Sequence, residues 1–266
     1  KAFNFCFTPG VSPKTLIDNG FDIVNLANNH IRDYSQIGHE ETITDLNAAK
    51  LPHFGAKNQI EYLNVKGKTV AFVGFYGNNK PESNSPYDKN ELKRLITEAK
   101  KNSDIAVVAF HGGAEGQDAM HIESGDSVTG PSGRSAFIDF AHYAIDAGAD
   151  CVLGSHPHVL RAMELYKGKL IAYSLGNFVG TGGLSVAGRC GQSAVLDISL
   201  DNNGDFQSGR ILPVRLNPSN YRRPEPDKSS DSAIQILQRL TNDYYEHFNI
   251  PKNLEFSDDG TVRPVK

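Results

Sequence analysis

The sequence predicts an α/β fold: a four-layer α/β/β/α sandwich in which two mixed sheets pack face to face with helices outside. Three observations predict it. Short apolar runs alternate with helical stretches, as they do in β-α-β units. Other apolar runs meet across tight turns at Lys66-Gly67-Lys68, Lys167-Gly168-Lys169 and Asp201-Asn202-Asn203-Gly204, which read as hairpins. A pure doubly wound sheet does not take both kinds of connection, whereas two mixed sheets do. The length of 266 residues is enough for one such domain.

Taken in order, Ala2 to Phe7 is a strand-like run, and Ser12-Pro13 opens a short helix that Gly20 stops. Asp22 to Ala27 is a strand and Gln36 to Lys50 a helix, with Ile37, Ile43, Leu46 and Ala49 near helical spacing. Leu51 to Gly55 is a short strand. Glu61–Val65 and Thr69–Phe75 form the first hairpin, and the second of these runs is apolar enough to be buried on both faces. Glu91 to Lys101 is a helix with a basic, solvated face. Ile105 to Phe110 is a strand. Gly116 to Gly130 is a long polar loop, and Pro131 to Ala147 an amphipathic helix. Cys151 to Leu153 is a buried strand. Arg161–Tyr166 with Leu170–Leu175, and Gln192–Leu200 with Asp205–Val214, are two more hairpins. The glycine-rich Gly180 to Gly191 and the polar Pro218 to Ser230 are connectors, and Ser232 to Phe248 is a last amphipathic helix.

Composition bounds the function. Hydrophobic residues make up 39 % and charged residues 22 %, the balance of a globular domain with a core. A net charge of −4 supplies no basic field, so no nucleic-acid partner is expected. No apolar run reaches the roughly 18 residues of a membrane helix. Cys6, Cys151 and Cys190 are too few and too widely spaced for a disulfide framework or a CxxC site. Cys6 and Cys151 stand in apolar runs and are expected in the core. No signal peptide precedes the first run.

Four apolar strands end in chemistry-bearing residues: Asn28-Asn29-His30, His111-Gly112-Gly113, His156-Pro157-His158 and Gly176-Asn177. If these strands run parallel, all four ends fall on the edge where open α/β sheets hold ligands. Imidazole and amide groups suit a divalent cation that activates water, and Asn29, His111, His156 and His158 offer four of them. The acids nearby in sequence are Asp33 and Glu115. The remaining histidines, His39, His53, His121, His142 and His247, read as structural or surface residues. Asp33 reads as a brace for its own loop.

Four motifs resemble those of the bacterial capsule-synthesis CapA (poly-γ-glutamate) family. They are Asn28-Asn29-His30-Ile31-Arg32-Asp33-Tyr34, His111-Gly112-Gly113-Ala114-Glu115, Gly154-Ser155-His156-Pro157-His158-Val159 and Tyr173-Ser174-Leu175-Gly176-Asn177-Phe178-Val179, in the family order. The resemblance places the chain in the calcineurin-like metallophosphatase superfamily. It implies two divalent ions, Mn, Fe or Zn, with Asn29, His111 and His156 on one and His158 on the other. His30 would be the general acid or would stabilise the phosphoryl oxygens. Asp33, Glu115, Ser174 and Asn177 would lie around the metals, bracing ligands or meeting substrate.

The family's opening Gly-Asp strand and its acidic Asn-Leu-Glu motif have no counterpart here. A single metallophosphatase-like domain over residues 1–266, without that first strand, is therefore expected. The resemblance further implies a role in capsule biosynthesis at the cell surface, with a membrane anchor outside these residues. The partners would be the acidic polymer or a phosphorylated intermediate, and other capsule subunits. The activity expected is metal-dependent phosphoester hydrolysis. The alternative is a non-catalytic scaffold that binds the polymer within a synthesis or export complex.

Overall fold

The computed structural model describes residues 4–77, 81–122, 136–179, 183–220 and 223–265. Its main sheet has six strands: β3 (Glu61–Val65), β4 (Lys68–Tyr76), β5 (Ile105–His111), β6 (Cys151–Ser155), β7 (Met163–Tyr166) and β8 (Lys169–Ala172). Their order is β3-β4-β5-β6-β8-β7, with β4, β5, β6 and β8 parallel and the two edge strands antiparallel. Helices α3 (Lys89–Lys101) and α4 (Ala136–Asp146) make the crossovers that parallel pairing demands. Asp88 caps α3 by accepting the Asn90 and Glu91 amides, and Leu92, Leu95, Ile96 and Ala99 are buried. On α4, Phe137 stacks on Phe110, while Phe140 meets Phe75 and Phe110 edge-on, so this helix lies over β4 and β5.

The second sheet is antiparallel throughout among the described residues. It comprises β9 (Gln192–Leu200), β10 (Phe206–Asn217), β11 (Arg223–Pro226), β12 (Leu254–Phe256) and β13 (Thr261–Pro264). Helix α5 (Ala233–His247) opens with a Ser232/Gln235 capping box. It packs against β9 and β10 and also reaches the main sheet, where Thr241 Oγ1 accepts the Met163 amide at 3.0 Å. One apolar cluster therefore includes Val108, Val152 and Ile171 of the first sheet, Leu237 of α5, and Phe206, Ile211 and Val262 of the second. The mixed α/β reading with several sheets holds.

Glu164 on β7 is buried where α4, α5 and the main sheet meet. Its carboxylate pairs with His142 Nε2 at 2.8 Å and accepts from the hydroxyls of Tyr173 at 2.7 Å and Tyr244 at 2.8 Å. Burial, with the Glu164 charge beside it, pushes the Tyr173 phenol well above its ordinary range, so it remains a donor.

The N-terminal third differs from the sequence reading. Helices α1 (Val11–Asp18) and α2 (Ser35–Ala49) surround a separate parallel pair, β1 (Val24–Asn25) and β2 (His53–Phe54). The described part of the Ala2–Phe7 run is not a strand, and Cys6 is exposed rather than in the core; Cys151 and Cys190 are buried. Among the described residues no strand pairs with that run, so apolar character alone does not bury it. Helix α1 starts at Val11 instead of after a Ser12 cap, with the Gly10 amide donating to the Asp45 carboxylate at 2.8 Å. The connector after Asn217 holds the edge strand β11, and β12 and β13 follow α5. Residues 123–135 and 180–182, parts of the two long loops and the start of the Pro131–Ala147 helix, lie outside the described residues.

Candidate metal centre

The parallel register builds the site. Tyr76, His111 and Ser155 are Cα partners across β4, β5 and β6, so His111 and Ser155 end neighbouring strands on one face of the sheet. Ser155 Oγ donates to the Phe110 carbonyl at 3.2 Å and lies 3.0 Å from His111 Nδ1. With Nδ1 facing Ser155, Nε2 is the His111 nitrogen turned toward Asn29 and His156. Gly154, one residue earlier, packs under Tyr173 and Phe110; a Cβ there would strike the Tyr173 carbonyl and the Phe110 ring. The strand can pass between them only as glycine.

After β6 the chain turns through two residues in the left-handed region, His156 at φ 104° and His158 at φ 60°. Such conformations cost about 1–3 kcal/mol each and persist where surrounding contacts enforce them. Here the Gly116 amide donates to the Pro157 carbonyl at 3.0 Å. Buried Arg161 donates to the Ala119 and Ala114 carbonyls at 2.7 and 3.2 Å, fastening the loop that carries Glu115. The turn brings His156 Nδ1 to 3.1 Å from His111 Nε2. Glu115 Oε2 lies 3.7 Å from the Nε2 atoms of both His156 and His158.

Asn29 and His30 arrive from the small β1/β2 sheet. Gly74 of β4 admits Asn25 and Gly55 at contact distance, which seats that sheet on the main one. Asn28 Oδ1 accepts the His30 amide at 2.8 Å and tightens the turn. Asn29 Oδ1 then stands 3.0 Å from His111 Nε2. His30 Nδ1 is 2.7 Å from Asp33 Oδ2, which also accepts the Phe5 amide at 2.9 Å. The Phe5 ring meets the His30 ring edge-on at 4.5 Å.

Burial favours the neutral form of His111 and His156. Burial first, then the neighbouring His156, His158 and His30, lowers His111 from 6.5 to about 3. Burial also lowers His156, against the opposing pull of Glu115. A neutral imidazole is the form that ligates metals. The donors therefore fit a borderline divalent ion: His111 Nε2 lies 3.0 Å from Asn29 Oδ1 and 3.1 Å from His156 Nδ1, and Glu115, His156 and His158 offer a second group of atoms within 4.8 Å of one another.

Of the residues singled out in the sequence, Asn29, His111, Glu115, His156, His158 and Asn177 come together, with His30 and Asp33 beside them. Ser174 is buried, its Oγ accepting the Gly176 amide at 3.3 Å, and among the described residues it makes no hydrogen bond to the histidines. The four motif ends do not all share one sheet edge, because Asn29 and His30 come from the separate small sheet. Two residues were missed, Ser155 and Arg161. Both stand within or two positions beyond the Gly154–Val159 motif, and a buried arginine next to an apolar strand was the available signal.

The family model described as bacterial capsule synthesis protein PGA_cap matches residues 1–181. The PGA biosynthesis protein CapA of Bacillus subtilis is 34 % identical over 87 % of this chain and 60 % of its own length. The capsule biosynthesis protein CapA of Bacillus anthracis is 32 % identical over 86 % of this chain and 56 % of its own. The chain thus spans little more than half the length of these relatives. A Staphylococcus aureus protein described as a candidate 5′-nucleotidase, solved with α-ketoglutarate, superposes with a TM-score of 0.47 at 18 % identity, covering 88 % of this chain and 44 % of that one.

Proposed function

The chain belongs to the bacterial capsule synthesis protein family, and from that premise we propose that it is a metal-dependent phosphoesterase-type hydrolase of capsule (poly-γ-glutamate) biosynthesis. The observation that carries the proposal is that His111 Nε2 lies 3.0 Å from Asn29 Oδ1 and 3.1 Å from His156 Nδ1, with His158 two residues on. In this reading Asn29, His111 and His156 hold one divalent ion, and His158 belongs to a second; Mn, Fe and Zn suit the donors. Such ions, when bound, polarise a phosphoryl oxygen and lower the pKa of a bound water.

The chain's own residues supply the rest. Ser155 holds the His111 ring so that Nε2 faces the site. Asp33 holds His30 through Nδ1, which leaves Nε2 as the atom that exchanges a proton with the leaving group. The extended Phe5 backbone and ring fix this pair from the other side. Gly112 lets the Phe137 ring pack directly beneath the end of β5. The substrate class is a phosphorylated intermediate of an acidic capsule polymer, handled at the cell surface with other capsule subunits. Among the described residues no helix is long and apolar enough to cross a membrane.

The test is hydrolysis of generic aryl phosphomonoesters and diesters by chain loaded with Mn²⁺ or Zn²⁺, with His158→Ala alongside. Loss of both bound metal and rate in His158→Ala is expected. Full activity in that variant, or a rate that survives chelation in the wild type, overturns the hydrolase reading; polymer binding that survives chelation would favour a scaffold.

A further inference from the structure

One edge of the second sheet is unlike the others. β10 takes β9 along one side and β11 and β13 along the other, so β9 has a single strand neighbour among the described residues. A free edge is a row of unpaired amides and carbonyls, and folded chains blunt such rows with proline, brevity or inward-turned charge. Here β11 is four residues with Pro224 and Pro226, and β12 is three residues. β7 is four residues with Glu164 turned inward, and β3 is five residues and opens on Glu61. β9 has nine residues, Gln192–Leu200, with no proline or lysine and Asp197 as its one charge.

Hydrogen-bond parity shows which groups lie on the open side. Residues of an antiparallel pair alternate between bonding the partner and facing away from it. The Ala194 amide faces away from β10 and donates to the Leu175 carbonyl at 3.1 Å. Its register partner is Pro213, which has no amide to give. Ile211, opposite Leu196, likewise turns its amide away from β9, to the Gly260 carbonyl at 2.8 Å. Leu196, Ile198 and Leu200 therefore aim their amides and carbonyls at the open side. Their side chains are half-buried and pack against the main apolar cluster, while Val195, Asp197 and Ser199 are exposed on the other face.

We propose that this edge pairs with the β9 edge of a second copy of the chain, antiparallel across a two-fold axis, with Ile198 opposite the partner's Ile198. Charge and the committed Ala194 amide select that register. An axis through Leu196 sets Ala194 against the partner's Ile198, and the Ala194 amide already belongs to Leu175. An axis through Asp197 sets that carboxylate against its own copy, and an axis through Ser199 sets it against the partner's Asp201; like charges directly opposite repel. An axis through Ile198 sets Leu196 against Leu200 and leaves Asp197 opposite Ser199, whose hydroxyl donates to a carboxylate. About six main-chain bonds then join the two second sheets into one. An interface of this size makes a weak, concentration-dependent pair. It stands independently of the metal reading.

The experiment is sedimentation velocity of the chain in chelator over a range of concentrations, for wild type, Ser199→Asp, Asp197→Lys/Ser199→Asp and Ile198→Pro. Ser199→Asp changes an exposed side chain, sets two pairs of carboxylates opposite each other, and should weaken the dimer about 10-fold. Adding Asp197→Lys turns both pairs into opposite charges and should restore it. Ile198→Pro removes an outward amide without touching a bond to β10 and should abolish pairing. In a Cys6→Ser background, Ile198→Cys should cross-link under mild oxidation, since directly opposed residues lie about 5.5 Å apart and within disulfide reach. Ser199→Cys, displaced along the strand from its own copy, should not. A wild type that stays monomeric at every concentration overturns the proposal, as does a dimer indifferent to Ser199→Asp; neither result depends on how Ile198→Pro folds. Cross-linking at Ser199 in place of Ile198 overturns the register. Slow exchange of the Leu196 and Ile198 amides in a dilute monomer would mean that the chain covers this edge itself, and overturns the pairing as well.

Discussion

Lowering the pH should destabilise this fold through His111, by an amount set at the site. Burial, and behind it the charges His156, His158 and His30 would carry, holds the His111 imidazolium down from 6.5 to about 3. Unfolding returns the ring to its ordinary value. Between the two values the unfolded chain binds a proton that the folded chain refuses. Stability is therefore unaffected by His111 above about pH 6.5 and is lost as the pH falls below it, at up to about 1.4 kcal/mol per pH unit. At about pH 4.5 two units have been crossed, or ~2.7 kcal/mol; the ring is only half-buried, solvent screens part of this, and the expected loss is about 1–3 kcal/mol. The assay is urea unfolding of the metal-free chain, in chelator, at about pH 7.5 and pH 4.5, beside His111→Gln. Glutamine keeps a neutral polar group there without a titrating ring, and the carboxylates common to both proteins cancel in the comparison. Wild type should lose about 1–3 kcal/mol more than the variant across the interval. Parallel losses would refute the reasoning.

The buried carboxylate hub and the glycine under the site give two more tests. Glu164→Ala removes the acceptor shared by His142 and the hydroxyls of Tyr173 and Tyr244, and should cost about 3–5 kcal/mol, whereas Tyr244→Phe removes the Tyr244–Glu164 bond alone of these three and should cost about 1–2 kcal/mol. Urea midpoints check both, and equal costs would contradict the hub. Gly154→Ala drives a methyl into the Tyr173 carbonyl and the Phe110 ring, and should cost about 1–3 kcal/mol and weaken Mn²⁺ uptake; a variant with the wild-type melting curve and metal affinity would contradict the close approach.

The parallel core was legible because its strands are continuous apolar runs ended by polar or small residues. Thr69–Phe75 and Ile105–Phe110 became β4 and β5 with one residue added at an end or two. The signal failed where burial is not what makes the structure. Phe7 is 72 % exposed, and the Phe5 backbone is held by Asp33 rather than by a sheet. β11 carries two prolines and only edge pairing, so it has no strand pattern to read. β12 and β13 are three and four residues long, too short for periodicity to speak. Within the site, the residues with distinctive chemistry were legible at their strand ends. Ser155 and Arg161 were not, because their work lies in one hydroxyl proton and two backbone carbonyls that only the folded loops bring near.

The division between those two groups follows from what register can and cannot fix. Pairing β5 with β6 through Val107–Cys151 leaves His111 opposite Ser155 automatically, and a slip of one residue would put Gly112 or Gly154 there and turn the ligand to the other face. The sheet thus sets where His111 stands and which nitrogen it offers. Past Ser155 the sheet has no say. His156 and His158 lie in left-handed backbone, and their directions come from Gly116 and Asn177, on other segments, and from Arg161, which ties their turn to the 114–119 loop. One half of the donor set is built into the most stable part of the fold, and the other is assembled by loops. Perturbations should separate the halves. Changes in the core strands should remove metal binding together with folding, whereas changes at Asn177 or Arg161 should weaken metal binding in a chain whose main sheet stays intact. Amide exchange measured beside metal affinity distinguishes the two; a loop variant that unprotects β5 and β6 as it loses metal would mean the halves are not independent.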